Sequence, residues 1–336
     1  MPSDAEPRLA SPGSSTEIRA IHLGEVAGVA RTLVDGLNSV GFRAVQRQLP
    51  APAPDSNLVA KALTSAPRIA SAKRIRSELK HTGAIAHVHY ATSGLWFLGC
   101  HPLVVHCHGT DVRSPGSLQQ RILNRVFAGA DLIIAATPDL ISRLPDGACY
   151  LPNPVDTERF APDASGSVSS RDVLVFAALT DIKGAPEILR IVTQLKRARP
   201  ELSITAIDHG SYADDFRAAG VEMIGFMDAS ELPGLISDHR IVIGQRKLGV
   251  AGTSELQAMA MGKPVVMPLD DSIDPMAQPP VITDADPDRV AEWILDLLDN
   301  DEELQRLGVV AREWTVENHG VVSVTRRLID LYGTLV

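Results

Sequence analysis

The chain has 336 residues, 45% apolar and 22% charged, with a net charge of −9. This is ordinary globular composition, and the length exceeds one comfortable hydrophobic core, so two domains are expected. No uninterrupted apolar run nears the ~20 residues of a membrane span, and the acidic balance argues against nucleic acid as a partner.

Residues 1–16 are rich in Ser, Pro, Ala and Gly without an apolar core, and read as a disordered leader rather than a signal peptide. From there to residue 152, short β-rich runs alternate with amphipathic segments. Strands are expected at 18–23, 42–46, 85–89, 103–108, 132–135 and 150–151, with helices at 29–39, closed by Gly41, and 118–127. The alternation implies a parallel, doubly wound sheet in a domain spanning 17–152. Up to residue 152 there are 15 Lys and Arg against 11 Asp and Glu, a net of +4, while the remainder carries −13. The basic half is expected to meet something anionic. Cys100, Cys107 and Cys149 are odd in number and far apart, which suits buried free thiols in a reducing cytoplasm and excludes a CxxC zinc pattern.

Pro152-Asn153-Pro154 stops helix and strand alike, so an inter-domain linker is expected over 153–170. The rhythm restarts in a second domain, 171–320. Strands are expected at 173–179, 204–207, 222–224, 241–243 and 265–267. One helix begins with Pro186 in its first turn and runs through Leu195, with Ile188, Leu189, Val192 and Leu195 on one face. Closing helices are expected near 288–298, 302–314 and 321–332, the last (within 321–336) packing back on the first domain. Two doubly wound domains facing across a cleft would bind ligands beyond the C-terminal ends of their strands.

The dinucleotide GxGxxG, the P-loop, the GxSxG elbow and HExxH are all missing, which excludes the commonest dehydrogenase, ATPase, esterase and zinc-protease readings. Three segments carry polar chemistry instead. His106–Arg113 ends a strand on a glycine and would present His108, Thr110 and Asp111 at its tip; a polar turn with a satisfied histidine reads equally well. Thr180–Pro186 opens a helix, so that N–H groups and Lys183 would meet an anion together, although a solvated lysine fits the same residues. Gly249–Val266 is a glycine-rich loop entering a helix near Ser254. Glu255 in its first turn could accept from a ribose diol or simply complement the helix dipole.

In this order and spacing, "HGTDVR", "LPNPVDTERFAP", "DIKG" and "SELQAMAMGKPVV" resemble the bacterial family-four glycosyltransferases, from about residue 18 to the end. The resemblance implies two Rossmann-like α/β domains in the arrangement called GT-B, and transfer of a sugar from a nucleotide-sugar donor with retained anomeric configuration. It implies no cofactor beyond that co-substrate and no metal. His108 would lie beside the donor sugar, Lys183 would stabilise the departing diphosphate and Glu255 would hold the ribose. Gly28, closing the loop from Gly24, would approach the phosphates. Gly249, Gly252, Thr253 and Ser254 complete the expected donor site, and Thr110, Asp111 and Asn153 are assigned to the acceptor side.

Two positions depart from the family. Ala178 stands where an arginine is common, and Lys247 where a first glutamate is common. The preferred reading is that Lys247, helped by Arg246, supplies the charge missing at 178; contact with an acidic sugar or with solvent are the alternatives. Two other functions fit the frame: a non-hydrolysing sugar-nucleotide epimerase, and a catalytically silent relative that binds a nucleotide or a partner. The basic stretch Lys61–Lys80 reads as a solvated helix face or as weak peripheral contact with anionic lipid.

Overall fold

The computed structural model describes residues 17–50, 58–163, 169–270, 272 and 278–335. The expected leader 1–16 and residues 164–168 of the expected linker lie outside them. The chain divides into two compact units, Met1–Ile134 with Ile329–Val336, and Ala135–Leu328.

Strands β1 (Ala20–Leu23), β2 (Ala44–Arg47), β3 (Ile85–His89), β4 (Leu103–Cys107), β5 (Leu132–Ala135) and β6 (Cys149–Tyr150) form a sheet in the order β2-β1-β3-β4-β5-β6. Its β1–β2, β1–β3 and β3–β4 pairs are parallel. Helices α1 (Val29–Ser39), α2 (Leu58–Thr82) and α3 (Ser117–Phe127) connect these strands. Gly41 follows α1 in the left-handed region, as the sequence predicts.

The second unit alternates strand and helix: β7 (Arg171–Val175), α4 (Ala185–Ala198), β8 (Ile204–Ile207), α5 (Ala213–Ala218), β9 (Glu222–Ile224), α6 (Leu232–Ser237), β10 (His239–Ile243), α7 (Thr253–Ala260) and β11 (Val265–Val266). Helices α8 (Pro287–Leu298) and α9 (Asp301–His319) follow, and α10 (Val321–Gly333) begins in this unit and ends, from Ile329, in the first. The sheet order is β11-β10-β7-β8-β9, every pair parallel. Strand alternation sorts its residues into two cores. Val173, Val175, Ile204, Ala206, Ile241 and Ile243 pack with α4 and α8, while Leu174, Phe176 and Val242 pack with α7 and Ala311 of α9. Each large aliphatic side chain buried in this way contributes about 1.5–3 kcal/mol.

Several expectations need correction. The strand expected at 173–179 ends at Val175, because Leu179 N–H leaves the ladder for His209 O and Thr180 N–H closes a turn on Ala178 O. In α4, Ile191 is buried where Leu189 is only partly so. The helix expected to stop at 314 runs to His319 and ends at Gly320. Of the three thiols only Cys107 is buried; Cys100 and Cys149 are intermediate. The basic stretch does lie on α2, but Arg76 donates to the carbonyls of Trp96 and Leu98, and Glu78 pairs with Arg47 at 2.7 Å. The side chain of Lys61 lies outside the described residues. No helix among the described residues is long and apolar enough to cross a membrane.

In each sheet one strand has neighbours that lead the chain in opposite directions. β1 sits between β2 and β3, and β7 between β8 and β10. Parallel sheets open their ligand crevices at such points, beyond the C-terminal ends of the strands.

Candidate functional site

At the second sheet's switch point, the segments after β7 and β10 meet. Asp181–Lys183 forms one 3₁₀ turn, and Gly184 follows at φ 78°. A side chain on Gly184 would put its Cβ 2.6 Å from Arg246 Cβ, so glycine is required there by both conformation and space. This close approach lets Arg246 N–H donate to Lys183 O at 2.8 Å, joining the two segments. Lys183 is half-buried, and its ammonium has no partner among the described residues. The expected row of free helix N–H groups is thinner than the sequence suggests. Ala185 N–H is taken by Thr180 O, and Pro186 has none to offer.

Arg246 and Lys247 point to different surroundings. Arg246 is 7% exposed and donates from Nη2 to Asp284 O, while its Nε and Nη1 have no partner among the described residues. Burial lowers its pKa, against the pull of Asp284 and Glu187. Lys247 is exposed, with Nζ 3.9 Å from Glu187 Oε1. A pair this open and this long holds little energy and leaves the ammonium free to move.

The loop after β10 is built around one carboxylate. Glu255 is 3% exposed; Oε1 accepts from Gln245 N–H at 2.8 Å and Oε2 from Gly252 N–H at 3.0 Å. The second bond ties the side chain to the residue that caps α7, as in half of a capping box. Glu255 thus sits in the first turn of α7, where its charge complements the helix dipole, and each of its oxygens accepts one backbone N–H. A Cβ on Gly244 would fall 2.7 Å from Glu255 Cγ, so the carboxylate occupies space only glycine leaves. Gly249 bonds through its carbonyl to Asp270 N–H, and Thr253 and Ser254 are half-exposed on the first turn of α7.

Gln245 is a residue the sequence reading missed. It is 1% exposed, donates from Nε2 to Val250 O, and accepts at Oε1 from the N–H groups of Lys247 and Leu248. A lone amide directly after the apolar run Ile241–Gly244 is the signal that could have found it. Asn153 also belongs to this unit. It is 7% exposed, its carbonyl accepts from His319 Nδ1 at 2.8 Å, and its Oδ1 is unpartnered among the described residues. Together with Gly249, Val250, Tyr150, Trp314 and His319 it lines a narrow pocket.

The first unit holds the remaining predicted residues. Gly28 caps α1 at φ 82° and is exposed. The adjoining helix N-terminus already has an anion, since Glu25 accepts from the N–H groups of Ala30 and Arg31. Thr110 is exposed, but Asp111 is not presented at the strand tip as expected. It is 0% exposed and accepts from the N–H groups of Ala91, His108 and Gly109, which makes it the brace of its own turn. His108 is half-buried at the end of β4, with Nε2 3.0 Å from His89 Nδ1. Burial pushes the His108 pKa down to about 4. Behind it lie four further histidines, which the sequence reading did not single out although "HVH" and "HCH" show the period of two.

No protein-family model matches the chain. Over 255 residues, 66% of this chain and 67% of the relative, it is 24% identical to the GDP-mannose-dependent alpha-(1-6)-phosphatidylinositol monomannoside mannosyltransferase of Mycolicibacterium smegmatis. Over 234 residues, 64% of this chain and 56% of the relative, it is 24% identical to the MMP alpha-(1->4)-mannosyltransferase of Mycolicibacterium hassiacum. The crystal structure of Anabaena HepE in complex with UDP-glucose matches 94% of this chain and 100% of its own, with a TM-score of 0.71 at 15% identity. The shared architecture is the GT-B fold.

Two outcomes follow from this geometry. Gly244→Ala should destabilise the protein by about 1–3 kcal/mol through overpacking against Glu255, read as a lower urea midpoint; an unchanged midpoint would show that the carboxylate moves freely. The second concerns pH. Burial holds His108 and His319 at about 4 and His22 at about 3, against 6.5 when unburied. The unfolded chain therefore binds protons that the folded chain refuses. Stability should be full above pH 6.5 and fall as the pH drops toward 4, by about 1.4 kcal/mol per unit for each histidine. Urea titrations at pH 7.5, 6 and 5 would measure the slope, and a flat profile would contradict it.

Proposed function

We propose that this chain, a glycosyltransferase of the GT-B fold that uses a nucleotide-sugar donor, is a retaining and metal-independent enzyme. The acceptor class is a small molecule, a lipid or a glycan. One observation carries the reading. At the switch point of the second sheet, the Arg246 N–H to Lys183 O bond brings the Lys183 turn beside the loop that Glu255 organises. A cation, a glycine-rich backbone and a helix start then share the position where parallel sheets bind nucleotides.

In this scheme the nucleoside lies over Gly249–Ser254, with the remaining lone pairs of Glu255 available to ribose hydroxyls. Lys183 meets the diphosphate as the bond to the anomeric carbon breaks, and its charge matters most as negative charge grows on the leaving oxygens. The acceptor oxygen bonds to the anomeric carbon on the face from which the diphosphate leaves, and its proton passes to the departing phosphate oxygen, so the configuration is kept. The first unit carries His108, Gly28 and Thr110, to which the family resemblance assigns the donor sugar, the phosphates and the acceptor respectively. Arg246 offers two unpartnered nitrogens and Lys247 a mobile ammonium as sources for the charge that Ala178 does not supply.

A second reading has some support. Ala178, together with a Lys247 that leans on Glu187, suits a relative that binds the donor without transferring the sugar. Release of free nucleoside diphosphate from a nucleotide sugar separates the two.

The first test is a thermal-unfolding panel of uridine, guanosine, adenosine, thymidine and cytidine diphosphates in EDTA. One of them at ~100 times its dissociation constant should add about 2.7 kcal/mol to the folded state. A panel without any shift removes the donor site. With the matching donor, Lys183→Ala should keep the fold but lower turnover about a hundredfold. Unchanged turnover would make Lys183 a surface residue, and strict dependence on magnesium or manganese would overturn metal independence.

A further inference from the structure

Five histidines share one face of the first sheet. His22 lies on β1, His87 and His89 on β3, His106 on β4 and His108 just beyond it, because the strand period of two turns each the same way. The parallel register sets His22 beside His87 and His89 beside His106. Tyr332 of α10, 2% exposed, reaches this face. The rings join in one hydrogen-bonded chain. His108 Nε2 meets His89 Nδ1 at 3.0 Å, His89 Nε2 meets His22 Nδ1 at 3.0 Å, and His22 Nε2 meets the Tyr332 hydroxyl at 3.1 Å. From the hydroxyl it continues to His87 Nδ1 at 2.6 Å, and from His87 Nε2 to His106 Nδ1 at 3.1 Å. There it ends: His106 Nε2 is buried and unpartnered among the described residues.

Groups of these rings lie close enough to suggest a shared cation. For His22, His87 and His89 the ring planes argue otherwise, and in the second group His106 is tilted 38° from His89 and 30° from His108. His22 and His87 are 17° from parallel, His87 and His89 13°, and His89 and His108 24°. Stacked rings aim their lone pairs alongside one another, not at a common point. That geometry suits a chain.

Counting protons then leaves two arrangements. Burial keeps all five rings neutral, so each carries one N–H, and the tyrosine carries one O–H. The six groups share five links, and each link takes one proton. The sixth proton sits at one end of the chain, and its place dictates every other. On His106 Nε2 it forces all five rings to carry Nε2–H; on His108 Nδ1 it forces all five to carry Nδ1–H. The first arrangement buries an N–H with no acceptor, which folded proteins avoid more strictly than an unused acceptor. The second places the surplus N–H at the half-buried end of the strand.

We propose that this tyrosine-centred histidine chain locks His108 as its Nδ1–H tautomer, so that His108 offers a hydrogen-bond donor to an oxygen at the site and does not act there as a base. His89 is the positioning residue that enforces the tautomer. The effect on transfer rests on the glycosyltransferase reading, whereas the tautomer itself does not.

The test is the pair of ring ¹⁵N shifts of each histidine in the free protein at pH 7, by long-range ¹H–¹⁵N correlation. Nδ1 protonated and Nε2 bare in all five rings is the expected result; His108 protonated at Nε2, or rings of mixed tautomer, overturns the proposal. His89→Leu should release His108 to a tautomer mixture and lower turnover about tenfold, with nucleoside diphosphate affinity unchanged. His89→Gln, whose amide can accept from His22 and donate to His108, should restore both the Nδ1–H state and turnover. If His89→Leu does not fold, the wild-type shifts and the glutamine variant still decide the matter. A locked tautomer with turnover indifferent to His89→Leu would leave the chain intact and remove His108 from the reaction.

Discussion

The site depends on one buried carboxylate and the two backbone N–H groups it holds. Gln245 and Gly252 are seven residues apart, and the segment between them contains no regular structure. Glu255 collects the N–H at each end of that segment, and in doing so fixes where β10 stops and where α7 begins. Gln245 then braces the interior of the loop with three further bonds. A charge-assisted pair of this kind is stronger than neutral bonds, and burial keeps water from competing for it. The result is a preformed surface, with Arg246 held against the Lys183 turn by the backbone rather than by its charge.

The first unit uses polar groups differently. A parallel sheet covered on its faces would normally present Val, Ile and Leu there. This one places imidazoles on one side of three adjacent strands and meets them with a tyrosine, so that the ring nitrogens satisfy one another. Such a network is rigid when complete and costly when a link is missing. Its unmatched atom is His106 Nε2, at the buried end, and its other end is His108.

Residue type alone does not say where charge sits. Arg246 and Lys247 are adjacent cations in the sequence and invite a common role. The backbone turns one inward, to Asp284 and a place without solvent, and the other outward beside Glu187. In the same way Asp111 reads as an acceptor-side group presented at a strand tip and instead is buried, accepting from the N–H groups of Ala91, His108 and Gly109. Neither outcome is encoded by residue type, because each depends on which backbone donors come within about 3 Å after folding.

What the sequence determined by itself was whatever depends on neighbours along the chain. The β–α alternation, the boundaries of α1 at Val29–Ser39 and the strand at Ile204–Ile207 follow from local periodicity and from Gly and Pro. So does the placing of the Lys183 turn and the Glu255 loop in the segments that lead from a strand into a helix, which is why they read as site segments. Tertiary structure alone decided the sheet order that makes those two segments neighbours. It also decided the burial of Glu255, Arg246 and Asp111, and the link of Tyr332 to a histidine 245 residues away. The physical reason is range: turn chemistry acts over a few residues, whereas a polar side chain finds its partners only after strands distant in sequence have paired.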